Sequence, residues 1–210
     1  MKRFEIITEA DARTLDIGET VVLQNGGHIT PLAADTLKAR RVTVVRDDIL
    51  DRGDDGLAPE SNIRRVAIGS DHSGVSLKAA LVAALRSTGI AVDDLGTSTA
   101  EPVDYPDTAA RVAKCVARGE ADAGIVIDGA GIGSAIAANK VTGIRAAVCH
   151  DATMARYARQ HNGANVLSLG STLIQPKDAL EVMKVWLNTP MTEPRYIRRL
   201  AKIRALEGGR

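Results

Sequence analysis

The chain is predicted to be an α/β protein built on a parallel sheet with helices on both faces, preceded by a small N-terminal α/β extension. Three observations predict this. From Arg65 onward, short apolar runs alternate five times with amphipathic stretches, and repeated βα units build such a sheet. Most of the runs are almost wholly apolar, as strands buried on both faces must be. The polar stretch Arg46–Asn62 (RDDILDRGDDGLAPESN) is rich in Asp, contains Gly and Pro and lacks periodicity, which is the character of a linker. The expected organisation is an extension over residues 1–47, a linker over 48–62 and a main domain over 63–210.

In the extension, Thr8 is an N-cap type residue with Asp11 three positions on, so TEADARTL starts a helix. GETVVLQNGG reads as a short strand and turn. In ITPLAADTLKARR, Thr30 is the cap and Pro31 the first helical residue. VTVVRD reads as another strand. A unit of about sixty residues buries little core alone, so the extension is expected to pack on the main domain or on another subunit. After the linker, the strands are Arg65–Ser70, Ala91–Leu95, Gly124–Asp128, Arg145–His150 and Asn165–Gly170. Leu77, Leu81 and Leu85 line one helix face, and Ala109, Val112, Ala113 and Val116 another, at helical spacing. Two closing helices, Lys177–Asn188 and Glu193–Glu207, end the chain; the second carries Arg195, Arg198, Arg199, Lys202 and Arg204.

Composition narrows the function classes. The formal net charge of +1 gives no global field for DNA or membranes. Aromatics make up only 2% of residues, too few for base stacking on single-stranded nucleic acid. Cys115 and Cys149 show neither a disulfide framework nor zinc spacing. No apolar run reaches membrane-spanning length, and MKRFEIITEADAR lacks a signal-peptide core. A cytoplasmic location, with no nucleic-acid or membrane partner, is expected.

Chemistry is expected at the carboxyl ends of the strands, where ligands bind in open α/β sheets. The third strand ends in Asp128, followed at once by a turn containing Gly129, Gly131 and Gly133. The turn does not fit a dinucleotide fingerprint, because Ser134 stands where the last glycine belongs and the turn follows the third strand. Three glycines in five residues favour close backbone approach to a ligand over a plain tight connection. The first strand ends in GSDHSG. There Asp71 either grips a sugar hydroxyl or caps the next helix, and His72 binds an anion or a hydroxyl. His161 and Asn162 end a helix, where a histidine often serves only as a dipole contact. His28 and His150 are read as structural.

Six ordered motifs carry a resemblance: GSDHSGVSLK (69–78), DYP (104–106), GIGSAIAANK (131–140), GIRAA (143–147), RQHN (159–162) and NVLSLG (165–170). Together, over residues 64–207, the chain resembles the ribose-5-phosphate isomerase B and galactose-6-phosphate isomerase family. The resemblance implies a Rossmann-like five-stranded sheet and a homodimer or higher homo-oligomer with sites at the subunit interface. It also implies aldose–ketose isomerisation of a small phosphorylated sugar through a cis-enediolate, with neither metal nor organic cofactor. Asp71 and His72 would line the site, His161 would assist ring opening, and Asn162 would hydrogen-bond the substrate. The N–H groups of Gly129, Ala130, Gly131 and Gly133 would stabilise the enediolate as an oxyanion hole does. Arg195 and Arg199, one helical turn apart, would bind phosphate.

The chain departs from the family pattern where proton transfer is expected. Asp128 occupies the position of the usual catalytic cysteine, and Ser134 the position of the glutamate that some members use. Ala130, Thr172 and Tyr196 replace a threonine, an arginine and a histidine. A carboxylate is an adequate base for moving a proton between adjacent carbons, so Asp128 is expected to be that base; the alternative is that it holds the glycine turn by accepting its N–H bonds. Three functional expectations stand side by side. The chain is an isomerase, or an epimerase working through the same enediolate. Or it is a non-catalytic, partner-dependent subunit of a heteromeric isomerase with a related cysteine-bearing chain. Or it has a binding role in which the extension docks the domain to an assembly.

Overall fold

The strands of this chain pair only in parallel, in two separate sheets. The computed structural model describes residues 2–46, 57–59, 62–191 and 193–207, and the chain divides into two units, Met1–Asp55 and Gly56–Arg210. The expected linker, 48–62, lies outside the described residues except at 57–59 and 62.

The first unit runs β1 (Arg3–Ile7), α1 (Glu9–Thr14), β2 (Thr20–Ile29), α2 (Pro31–Ala39) and β3 (Thr43–Arg46), with the sheet order β1-β2-β3. Both helix starts follow their caps. The Thr8 and Asp11 side chains each accept the other's backbone N–H, at 3.4 and 2.9 Å, forming a capping box. Thr30 caps α2, with Pro31 inside its first turn. Ile7, Leu15, Val21, Leu23 and Leu37 form a buried core inside this unit, so the extension encloses apolar side chains of its own. Two expectations need correction. RFEII, at the very start, is a strand. The Asn-Gly-Gly stretch expected to turn instead continues β2 to Ile29, and the β1–β2 register shifts between Phe4 and Ile6. Gly27 makes that crossing feasible, because a Cβ there would lie 2.5 Å from the Glu5 carbonyl oxygen.

The second unit holds β4 (Arg65–Ser70), a single 3-10 turn (His72–Gly74), α3 (Val75–Ser87), β5 (Ala91–Asp94), α4 (Tyr105–Ala117), β6 (Ala123–Asp128), α5 (Ile132–Ala138), β7 (Ala146–Val148), α6 (Ala152–Asn162), β8 (Val166–Gly170), α7 (Pro176–Asn188) and α8 (Pro194–Glu207). Its sheet order is β5-β4-β6-β8-β7, a Rossmann-like arrangement. Alternation along the strands feeds two cores. Val66, Ile68, Ile125 and Ile127 face α3, α6 and α7, where Leu81, Leu85 and Trp186 pack. Ala67 and Val126 face α4 and α5, against Val112, Ala113 and Ala138. β7 is shorter than the apolar pattern of residues 145–150 predicts, three residues at the sheet edge.

This topology fixes where a ligand can enter. The chain leaves β4 for β5 on one side and returns to β6 on the other. The connections therefore diverge between β4 and β6, and a crevice opens beyond the carboxyl ends of those strands. Asp71 follows β4 and Asp128 ends β6.

Candidate active site

The crevice is organised by a carboxylate. Asp128 is buried at 5% exposure, and its carboxylate accepts three hydrogen bonds among the described residues, all from the turn that follows it and the start of α5. Oδ1 accepts the N–H of Ala130 at 2.9 Å and also that of Gly131; Oδ2 accepts the N–H of Ser134 at 2.7 Å. The turn winds around its own acid because Gly131 adopts φ +78°, the left-handed region. A Cβ on Gly131 would also stand 2.9 Å from the backbone carbon of Leu169. The loop is tied down further from β8 and its exit. Ser168 Oγ donates to the Gly131 carbonyl, Ser171 Oγ to the Asp128 carbonyl at 3.1 Å, and Thr172 Oγ1 to the Gly129 carbonyl at 2.6 Å.

These bonds correct part of the expected anion site. The N–H groups of Ala130 and Gly131 are already engaged by Asp128, so they do not offer themselves to an enediolate. Asp128 leaves Gly129, Ile132 and Gly133 untouched among the described residues. Ile132 and Gly133 are the first two residues of α5, and N–H groups at such positions have no acceptor within the helix. The Tyr105 ring lies over Gly133, where a Cβ would meet it at 2.6 Å. The Asp-Tyr-Pro run at the start of α4 is the signal for this tyrosine, but its partner is invisible in sequence.

Across the crevice, Asp71 takes the capping role. Its Oδ1 accepts the N–H of Ser73 at 2.9 Å and the Ser73 hydroxyl at 2.6 Å. Ser73 Oγ lies 3.3 Å from Ser171 Oγ, which links the ends of β4, β6 and β8. Sequence reasoning missed Ser73 and Ser171, since only topology brings them together. His72 is exposed, and its Nδ1 accepts the N–H of Val103 at 3.3 Å. Nδ1 is then the acceptor of a neutral imidazole and Nε2 carries the proton. The connection bearing Val103 is anchored by Lys78, whose buried ammonium donates to Asp94 and, at 2.8 Å, to the Thr97 carbonyl.

The other predicted residues lie elsewhere. His161 and Asn162 end α6, just before β8 begins, and Arg145, preceding β7, donates from Nε to the Gly163 carbonyl at 2.8 Å. This is the amino end of the sheet. α8 is there too: Leu200 packs against Gly163, and Glu207 accepts the Gly143 N–H at 2.9 Å. The length of β8, roughly 15 Å at about 3.3 Å per residue, separates them from Asp128. Within one chain the structure therefore gathers Asp71, His72, Asp128, Gly129 and Gly133 at one end. It gathers His161, Asn162, Arg195 and Arg199 at the other.

The second group has its own order. The His161 ring is stacked on Tyr157 at 4.7 Å between centroids and faces Tyr196 at 4.5 Å. The Arg195 and Arg199 guanidiniums lie 4.8 and 5.6 Å from the centre of the Tyr196 ring. Among the described residues, no group of His, Cys, Asp and Glu side chains is arranged to hold a metal ion, and no helix is long and apolar enough to cross a membrane.

Comparison with known proteins places these residues among relatives. The ribose/galactose isomerase family matches residues 66–203. The chain is 43% identical over 145 residues to ribose-5-phosphate isomerase B of Escherichia coli, covering 69% of this chain and 97% of that protein. It is 41% identical over 124 residues to D-erythrulose-4-phosphate isomerase of Pectobacterium atrosepticum, covering 59% and 82%. Among solved structures it is similar to ribose-5-phosphate isomerase B of Clostridium thermocellum, with TM-score 0.68 and 46% identity over 69% of this chain and 97% of that one.

Proposed function

The chain belongs to the ribose/galactose isomerase family, and from that premise we propose that it is an aldose–ketose isomerase whose substrate is a small phosphorylated sugar. The observation that carries the reading is the turn after β6. A buried carboxylate is fixed beside a backbone loop that keeps the Gly129, Ile132 and Gly133 N–H groups clear of that carboxylate. Moving a proton between adjacent carbons requires one base and a stabilised enediolate. Backbone N–H groups held by the turn serve the second need, because they are already oriented as the charge develops. Asp128 serves the first. A carboxylate has about four acceptor positions, so three loop bonds leave one for the substrate proton while fixing the direction of approach.

His72, presenting Nε2–H, donates to a substrate oxygen, and Asp71 completes that wall. His161, Asn162, Arg195 and Arg199 lie at the far end of the sheet, so the complete constellation requires a second copy of the chain. One copy supplies the enediolate turn and the other the ring-opening histidine, Asn162 and the phosphate-binding arginines. A dimer is thus part of the proposed activity. The relatives' names span five- and four-carbon sugar phosphates, and both classes belong in the assay.

A second reading is favoured by the same bonds: an Asp128 occupied by its own loop suits a subunit that needs a related chain to supply the base. One measurement separates the two. The purified chain is assayed with ribose 5-phosphate, erythrose 4-phosphate and six-carbon aldose phosphates. Turnover by the homo-oligomer supports the first reading. Absence of turnover on every sugar, with phosphosugar binding retained, overturns it in favour of the second.

A further inference from the structure

We propose that Tyr196 is a positioning residue that couples phosphate capture to ring opening, by holding His161, Arg195 and Arg199 as one unit. The proposal rests on the isomerase reading for the roles of those three residues; its geometry is independent of that reading. Tyr196 lies in the first half of α8 and is buried at 6% exposure among Leu57, Met191 and Leu200. Its ring therefore has little freedom. One face meets His161 at 4.5 Å, with 30° between the planes, and His161 is closed on its other side by Tyr157, stacked at 4.7 Å. The imidazole is gripped by its two faces. Neither ring nitrogen makes a hydrogen bond among the described residues, so both remain at the ring edge for a substrate oxygen.

The same tyrosine holds the cations. Arg195 Nη2 donates to the Tyr196 phenol oxygen at 2.9 Å, and its guanidinium lies 4.8 Å from the ring centre. Arg199 lies 5.6 Å from it, one helical turn on. Both arginines are exposed; among the described residues Arg195 has one long ion pair, 3.8 Å to the half-exposed Glu193, and Arg199 has none. Long exposed arginines lose rotamer freedom when they bind an anion. A buried aromatic ring that already carries both removes part of that cost. Glycine or alanine at 196 would leave His161 stacked on one side only and the two guanidiniums unguided. The chemical class recognised here is the phosphate monoester of a sugar whose ring oxygen, a different atom from the ester oxygen, is the one offered to His161.

The experiment compares the wild-type chain with Tyr196→Phe and Tyr196→Leu. Thermal melts establish that each is folded; should Tyr196→Leu fail to fold, Tyr196→Phe carries the test. Affinity for inorganic phosphate is measured by titration calorimetry, and steady-state kinetics are run on whichever sugar phosphate the wild type converts. Tyr196→Phe keeps the ring and loses the hydrogen bond from Arg195. It should weaken phosphate and raise KM by roughly five- to tenfold, as for an ordinary hydrogen bond, with kcat within about twofold. Tyr196→Leu should weaken phosphate further and also lower kcat by at least about tenfold, because His161 loses a wall. A purely structural role would lower the melting temperature and leave phosphate affinity and the KM-against-kcat split unchanged, and that result overturns the proposal. If the wild type binds phosphate but converts no sugar phosphate, the isomerase reading fails, while the weakening in the variants still decides the role of Tyr196. If the wild type binds no phosphate, the Tyr196 proposal fails, and if it also converts no sugar phosphate, both fail.

Discussion

Asp128 and Ser134 are joined across the glycine turn: the Asp128 Oδ2 accepts the Ser134 N–H at 2.7 Å, from the third residue of helix α5. The carboxylate that ends a strand is thereby the cap of the helix after it, and the glycine turn between them is closed into a ring. Substituting Asp128→Asn preserves one oxygen for Ala130 and Gly131 and sets an amide NH2 against the Ser134 N–H. One buried donor is then left without an acceptor, at a cost of about 1–3 kcal/mol, read from urea denaturation. The same change removes the proposed base, and kcat should fall by roughly a hundredfold or more. A folded Asp128→Asn enzyme with full turnover would show that the carboxylate holds the loop and nothing else.

Gly131 and Gly89 share a left-handed backbone, at φ +78° and +82°, yet their surroundings differ. A Cβ at Gly89 meets nothing within 4 Å; at Gly131 it stands 2.9 Å from Leu169 C and 3.0 Å from Gly170 N. Gly89→Ala should therefore cost only the backbone strain, roughly 1–2 kcal/mol. Gly131→Ala should cost about 1–3 kcal/mol beyond that, because main chain must move, and should also impair catalysis by shifting the turn. Equal losses in denaturation would refute the close approach of the turn to β8.

Lys78 and Asp94 form an asymmetric ion pair, the lysine side chain 3% exposed and the aspartate 37%. Which partner is removed should decide the cost. Lys78→Met leaves Asp94 able to rehydrate, so the loss should stay near about 1 kcal/mol, the upper range for exposed pairs. Asp94→Ala strands a buried ammonium whose one remaining partner among the described residues is the Thr97 carbonyl, and uncompensated buried charges cost about 3–5 kcal/mol. Asp94→Ala should thus be the more damaging change by urea titration, and it should loosen the connection that supports His72. The reverse order of stabilities would refute this account.

The second unit was legible because local and global signals coincide there. Asp151, the residue immediately before α6, accepts the Met154 N–H as a helix cap, and β4 occupies Arg65–Ser70, the limits its apolar run predicts. β1 escaped notice because RFEII mixes charge with apolar residues and lacks a flanking turn. The Asn-Gly-Gly stretch misled because a glycine that permits a turn equally permits close strand crossing, as Gly27 does against Glu5. At the site, residue types and loop were readable, but the use of each N–H was not. Asp128 competes with any substrate for Ala130 and Gly131, and that competition depends on the turn's three-dimensional path. The pairing of Tyr196 with His161 likewise joins residues from two helices, with no spacing rule to announce it.

Cys149 makes a prediction about alkaline stability. It is 1% exposed, and burial, with the neighbouring Asp151 charge adding to it, pushes its thiol from an ordinary 9.0 up to about 12. Burial also raises Cys115. Above about pH 9 the unfolded chain holds the thiolate while the folded chain retains the proton, so the folded state binds more protons and stability falls as pH rises. The contribution is fully present below pH 9 and is lost progressively up to about pH 12, with a slope on the order of 1 kcal/mol per pH unit from this group. Cys149→Ser is nearly isosteric and does not titrate in this range. Its deficit relative to the wild type should therefore shrink by about 1–2 kcal/mol between pH 8.5 and 10.5 in paired urea titrations, since lysines and tyrosines common to both chains cancel. Iodoacetamide should leave Cys149 unmodified at neutral pH until denaturant is added. A deficit that stays constant across this pH range, or rapid alkylation of the folded chain, would mean that the thiol is not sealed in the core beside β7.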